Sequence, residues 1–256
     1  MSEERRRMLM GSSGGSKYGN FGGYNFTNPL VYENGDFRVQ RTWNEVNSYG
    51  SKKGAIKGST YFNFIEIGQR FDSRGSSFSK SSGNINNANP MLFDGYNDWH
   101  VPTQNALKTL IGAGSYGIAR NGSTVNGNAK KHYSRIKTNI TYAGQSNMGG
   151  YLFFPDDEVI TGKALSAFDS TTQAASGVTG DELNEYLNQG CLFLPFSGYC
   201  YNDDWSSIDS YGCYWSATQR DSSWAYSLRF TVSSLNLGND NGKSHLYFPV
   251  VLVRTI

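Results

Sequence analysis

Long apolar runs are missing from this chain of 256 residues. No stretch is long or apolar enough to cross a bilayer, so membrane insertion is not expected. The start is charged from Glu3 to Arg7, but Gly11-Ser-Ser-Gly-Gly15 stands where a secretory leader needs an apolar core. The reading is of a protein that folds in the cytoplasm that makes it and reaches the outside, if it does, by another route. Charge is scarce too. Only 17% of residues are charged and the net charge is +2, so no strong field draws in nucleic acid. Three cysteines, Cys191, Cys200 and Cys213, are too few for a disulfide framework, although one bridge from Cys200 to Cys213 stays open.

Catalytic signatures are also missing. His100, His132 and His245 are far apart, and no His/Cys pair has zinc spacing. Gly162-Lys163 and Gly242-Lys243 lack a P-loop frame, and there is no Gly-x-Ser-x-Gly elbow. Asp156-Asp157-Glu158 and Asp203-Asp204 carry oxygen ligands for a hard cation, but each reads first as a solvated turn. Cys191, between apolar neighbours, reads as an inert core thiol. No enzyme, no metal and no cofactor is expected.

What is present is 30 Gly, 17 Tyr and 15 Phe in a chain only 38% hydrophobic, which describes a loop-rich β or α+β protein. Residues 1–22 form a charged tip and a Gly/Ser/Asn tether that cannot bury enough apolar surface to fold alone. Leu30-Val-Tyr32 and Phe37-Arg-Val39 flank Asn34-Gly35, a hairpin mark because both turn residues tolerate positive φ. Thr42-Trp-Asn-Glu45 has the form of a capping box opening a short helix through Tyr49. Tyr61 to Ile67 reads as a strand, and residues 72–90 as an exposed loop. Thr103 is the expected N-cap of a helix with Ala106, Leu107, Leu110 and Ile111 on one face, ended by Gly112. A basic run (Lys130, Lys131, His132, Arg135, Lys137) is read as loop, with one strand near Ile136 to Tyr142. Tyr151 to Pro155 is a buried strand, Asp181 caps a helix over Glu182 to Asn188, and Cys191 to Pro195 begins a closing sheet. The echoes Leu152-Phe-Phe-Pro155 and Leu192-Phe-Leu-Pro195 are expected to be neighbouring strands.

The last quarter is built differently. Apolar pieces at short intervals, such as Tyr214-Trp215-Ser216-Ala217, Leu228 with Phe230, and Val250 to Val253, alternate with polar runs that have no helix or strand period. Tyr201, Trp205, Tyr211, Trp224 and Tyr247 stand among Asn, Asp and Ser. Large stiff rings beside adaptable hydrogen-bonding groups suit a contact surface, and loops without a partner have little reason to carry them.

Trp99-His-Val-Pro-Thr103, Leu152-Phe-Phe-Pro155, Leu194-Pro-Phe-Ser-Gly198, Gly212-Cys-Tyr-Trp-Ser-Ala-Thr218, Ala225-Tyr-Ser-Leu-Arg-Phe230 and Val250-Val-Leu-Val-Arg254 fall in order. Together they resemble the C-type-lectin-fold domains of the Fibrobacter succinogenes major paralogous type, and more narrowly the variable proteins of diversity-generating retroelements. The likeness runs from about Trp99 to Arg254. It implies an α+β domain over 23–256, with mostly short antiparallel strands, two helices and long loops. It also implies that a reverse transcriptase copying a template with errors at adenines rewrites the 3′ end of the gene, here about residues 199–247. Codons of the Asn type then yield Tyr201, Asn202, Asp203, Asp204, Ser206, Ser207, Ile208, Asp209, Ser210 and Tyr211. The same set covers Arg220, Asp221, Ser222, Ser223, Ser227, Arg229, Thr231, Asn239, Asp240 and Asn241. Trp205 and Trp224 need another adenine-bearing codon, such as AGG. With Tyr247 these residues are the expected ligand-contacting surface, held up by Trp215, Leu228 and Phe230. Val251 departs from the arginine expected before Val253-Arg254, and no Glu-Pro-Asn or Trp-Asn-Asp motif implies calcium-dependent sugar binding.

The resemblance thus implies a ligand-binding display protein, and the missing secretory leader favours a virion component, a receptor-binding adhesin of a phage tail fibre. Its partners would be a protein or glycan on a cell surface and, through residues 1–22, other virion tail proteins; a homo-oligomer is left open. A bacterial cell-surface adhesin of the same fold would need an export signal. A formylglycine-generating-type oxidase would need paired cysteines that this sequence does not have. A structural virion protein would have no template repeat beside its gene.

Overall fold

The computed structural model describes residues 18–40, 43, 53–56, 58–111, 113–114, 118–119, 123–124, 130–131, 133–142, 144–156, 175–232 and 234–256. The Asn34-Gly35 signal makes the expected hairpin: β2 (Leu30–Glu33) pairs with β3 (Asp36–Val39), and the turn residues sit at φ 53 and 89. β1 (Tyr24–Phe26) pairs with β20 (Val253–Thr255), so the two ends of the described chain lie side by side.

Three α-helices occur among the described residues, one more than the two expected. The extra one corrects the reading of Tyr61 to Ile67 as a strand: α1 spans Phe64–Phe71. Asn63 caps it, accepting from Glu66 N while the Glu66 carboxylate accepts from Asn63 N (2.9 and 3.0 Å). Phe64, Ile67, Gly68 and Phe71 are buried at helical spacing, so the capping box and the 3.6-residue period override the local run of β-formers. α2 (Gln104–Leu110) starts on Thr103 as expected, whose hydroxyl accepts from Ala106 N at 3.2 Å. α3 (Gly180–Asn188) is capped by Thr179, two residues before the expected Asp181; Glu182 closes a second capping box and Asp181 lies in the first turn. The expected helix from Thr42 to Tyr49 and the end signal at Gly112 lie outside the described residues, apart from Trp43, which is buried.

Residues 72–90 are not simply an exposed loop. Asp72 is fully buried and forked to Arg74 (2.6 Å to both Nε and NH2), and Phe78 and Ile85 enter the core. Between β4 (Met91–Phe93) with β5 (Tyr96–Trp99) and the later sheets lie two two-residue ladders. These are β6 (Ala113–Gly114) with β7 (Ile118–Ala119), and β8 (Ser123–Thr124) with β9 (Lys130–Lys131). The strand expected near Ile136 to Tyr142 is β10 (Tyr133–Thr138). It sits in a four-stranded sheet ordered β12 (Ala175–Val178), β10, β11 (Gly149–Phe153), β13 (Leu192–Pro195). Leu152 opposes Phe193 across β11 and β13, so the two Leu-Phe echoes are antiparallel neighbours; in this sheet β10 pairs with β12 in parallel.

The last quarter supplies the centre. β16 (Tyr211–Gln219), β17 (Trp224–Thr231) and β18 (Leu235–Gly242) form an antiparallel sheet with a core on each face. Tyr214, Leu228 and Phe230 face a core shared with α2, α3 and β11, while Cys213, Trp215 and Ala225 face one shared with α1 and the β2–β3 hairpin. Tyr214 stacks on Phe230 (16° between planes) and Trp215 Nε1 donates to Phe62 O at 2.7 Å. Gly212 opposes Phe230, whose ring lies 2.0 Å from where a Cβ would stand, so no larger residue fits without moving the ring. Beside this sheet, β14 (Tyr199–Tyr201) is flanked by β15 (Asp204–Ser206) and β19 (Leu246–Tyr247).

Candidate functional site

β14 begins after Gly198, which takes φ 64, a conformation glycine adopts without strain, and turns the chain against Ser206 O. Cys200 is fully buried, so the pleat sends Tyr199 and Tyr201 to the other face of the strand, and Tyr201 is 46% exposed. Asn202 and Asp203 form the two-residue turn into β15 at φ 47 and 74, values these two residues tolerate well. Asn202, Asp203, Asp204, Ser207 and Ser210 are exposed, with Ser206 half-exposed beside them. The Tyr201 ring meets the His245 ring edge-on at 5.4 Å. Lys53 reaches in from outside the expected stretch, ion-paired to Asp203 and 4.9 Å from the Tyr247 ring centroid. The hydrogen bond to Asp203 raises the Lys53 pKa, while burial raises that of the neighbouring Glu66 carboxyl.

A second group forms where the buried face of the central sheet runs out. Ser227 and Cys213 are fully buried, but Tyr211, Arg229 and Thr231 on the same face are half-exposed. Tyr199 braces Tyr211 edge-on at 5.9 Å, and the Arg229 guanidinium lies 4.5 Å over the Tyr211 ring. Cys213, Arg229 and Asn236 form a row across β16, β17 and β18. Because Tyr199 and Tyr201 share one face of β14, the two groups adjoin.

The third group is the tip between β16 and β17. Asp221 accepts from Ser223 N and Trp224 N (2.7 and 3.0 Å), and residues 80–84 brace it: Asn84 Oδ1 accepts from Gln219 N, and Lys243 Nζ donates to Lys80 O and Gln219 Oε1. Arg220, Ser222 and Trp224 are exposed. Trp224 opposes Gly242, which the His245 ring covers, so the tip meets the Tyr201 group at the turn Gly242–His245. By the pleat, Trp224 and its outward neighbour Tyr226 lie on the face of β17 opposite to Arg229.

Neither protein-family models, nor characterised proteins, nor solved structures give a match to this chain.

Several expected contact residues have structural duties instead. Ser227 is a correction: it is fully buried, its hydroxyl 3.3 Å from Cys213 Sγ, because alternation from Ala225 turns it inward. Asp209 is ion-paired to Lys137 and accepts from Gly149 N at 2.6 Å, fastening the loop to β11. Ile208 packs against Gly198, Trp205 sits edge-on to Tyr61 at 4.6 Å, and Thr231 Oγ1 accepts from Ser234 N to shape the next turn. Asn239, Asp240 and Asn241 lie in β18, with side chains outside the described residues. Conversely, Tyr199, Tyr226, Asn236, His245 and Lys53 stand at the surface groups unforeseen. Alternation about Cys200 and Ala225 could have found the two tyrosines; nothing local marks Lys53.

The chemistry on offer is contact: exposed phenol and indole rings, small hydroxyls, exposed carboxylates and the Arg229 guanidinium over the Tyr211 ring. Among the described residues no three His, Cys, Asp or Glu side chains come together as a metal group. The three cysteines are buried thiols without a disulfide, which leaves the bridge from Cys200 to Cys213 unmade; burial pushes Cys213 up to about 12.

Proposed function

We propose that this chain is a ligand-binding display protein. One observation carries the reading: the outward rings and polar groups of residues 199–211, with Arg229 and the neighbouring tip, stand directly on strands whose inward residues are sealed in the cores. Such a scaffold tolerates exchange of the outward side chains, because replacing a solvent-facing group leaves packing intact. This supports the retroelement reading, in which the scaffold is a C-type lectin fold and the exchanged codons lie between about 199 and 247. In that reading the protein is a receptor-binding adhesin of a phage tail fibre, and its partner is a cell-surface protein or glycan. The tether ends before Tyr18 rather than at residue 22, because Phe21 is buried in the core and Asn20 O accepts from Asp156 N.

Two measurements test it. A near-copy of the coding DNA for the last quarter, lying just downstream and carrying adenines at the substituted codons, is expected; its absence removes the retroelement part. The intact chain is expected to bind members of a panel of immobilised glycans and bacterial surface-protein ectodomains. Tyr201→Ala and Tyr211→Ala should abolish that binding with little change in melting temperature. Unchanged binding by both variants would overturn the proposed surface.

A further inference from the structure

We propose that Arg229 is the carboxylate receptor of this surface, taking an acidic group of the ligand on the fork of its guanidinium with the Asn236 amide beside it. The inference rests on the display reading and narrows it to one ligand chemistry. The Arg229 guanidinium carbon lies over the Tyr211 ring, 4.5 Å from its centre, and Tyr199 steadies that ring from the side. A cation–π contact uses no hydrogen-bond acceptor, so guanidinium N–H groups turned away from the ring stay free to donate. Among the described residues, nothing accepts a hydrogen bond from Arg229 and no carboxylate pairs with it. The other cations around the three groups are engaged: Lys53 with Asp203, Lys137 with Asp209, Arg220 with Asp221, and Lys243 with Gln219 and Lys80 O.

Asn236 lies directly across from Arg229 in the β17–β18 register, exposed, and its amide makes no hydrogen bond among the described residues. A planar fork and an amide donor, both on paired strands, match a carboxylate's two oxygens, and little conformational freedom is left to lose on binding. The charge decides between anions. One guanidinium balances a monoanion, whereas a phosphate monoester brings closer to two charges, and among the described residues no second unpaired cation faces it. The carboxylate could be carried by an acidic sugar or by an acidic side chain of a protein; the receptor chemistry is the same.

The test follows the arginine side-chain N–H signals of the intact, isotopically labelled chain by nuclear magnetic resonance. Sodium acetate, the methyl glycoside of N-acetylneuraminic acid and a blocked tripeptide with a central glutamate are titrated separately, against sodium chloride at matched ionic strength. A saturable shift of the Arg229 signal with an organic acid is expected, and the tighter binder identifies the source. Affinity should fall about tenfold or more in Arg229→Gln, as befits loss of a charge-assisted hydrogen-bonded pair. Arg229→Lys, which keeps charge but loses the fork, and the exposed Asn236→Ala should each weaken binding with melting temperature held. No saturable shift with any of the three acids, or a shift that survives Arg229→Gln, overturns the inference. If the panel above still binds the wild type and loses Tyr201→Ala but not Arg229→Gln, the carboxylate receptor falls while the display surface stands. Panel binding unchanged in Tyr201→Ala, Tyr211→Ala and Arg229→Gln alike removes the display surface itself.

Discussion

Tyr201 and Trp215 lie near each other in sequence and have opposite energetic roles. Tyr201 is 46% exposed and its hydroxyl donates to nothing among the described residues, so Tyr201→Ala should leave stability within about 0.5 kcal/mol of wild type. Trp215 is fully buried and its indole satisfies Phe62 O. Trp215→Ala should cost about 3–5 kcal/mol, read as a shifted urea midpoint, because it opens a large cavity and strips a buried acceptor. Asp72 supplies a pH dependence. The Arg74 fork holds its carboxyl down at about 2 from the ordinary 3.8. A depressed pKa means that the native state favours the ionised form. The contribution is therefore present above the unfolded value and is lost as pH falls from there toward 2. Asp72→Asn should flatten the acid limb of stability against pH between those values and leave the neutral-pH slope alone; an unchanged acid limb would show that other groups control it.

At the scale of elements, the turn Asn202-Asp203 constrains what the surface can display. Both residues sit at positive φ, so Asn202→Gly should be neutral while Asn202→Ile should destabilise by about 1–2 kcal/mol, measured by thermal or urea unfolding. Equal stability of the two variants would show that the hairpin reshapes freely. The same element shows how much was legible beforehand. The hairpin at Asn34-Gly35 and the helix capped by Thr103 were readable because each depends on a few adjacent residues, and the long-range pairing of the two Leu-Phe strands was readable because their sequences echo each other. α1 was not, because Tyr61, Phe62 and Phe64 imitate a strand, and the decisive signal is the reciprocal bond between Asn63 and Glu66 three residues apart. The same box at Thr179 and Glu182 shifts the start of α3. Local β-propensity loses to a satisfied cap when tertiary packing offers the helix an apolar seat.

On the scale of the molecule, the surface was readable as composition but not as geometry. A reading taken along the chain is blind to the pleat, which is why it admits the buried Ser227 and passes over Tyr199 and Tyr226, although tyrosines at 201 and 211 were included. It is equally blind to distant segments: Lys53 reaches the surface from about 150 residues away along the chain and residues 80–84 brace its tip. The ends also matter globally. Val253 pairs with Phe26 and exchanges two backbone hydrogen bonds with His100 (2.8 and 2.9 Å), joining β1, β20 and the end of β5. Deleting Val253 to Ile256 should therefore lower the melting temperature and speed hydrogen exchange in β1 as well as at the deletion. Protection unchanged in β1 would mean that this strand is held by other contacts.

The three buried thiols offer a built-in clock. Each sits in a different part of the molecule: Cys191 just before β13, Cys200 in the strand bearing Tyr201, and Cys213 in the central sheet. A thiol-reactive dye reaches each only when its own neighbourhood opens, so the order of labelling ranks those neighbourhoods by ease of opening. Cys200, in a three-residue strand, should be modified ahead of Cys213, whose nine-residue strand is closed over by a core on either side.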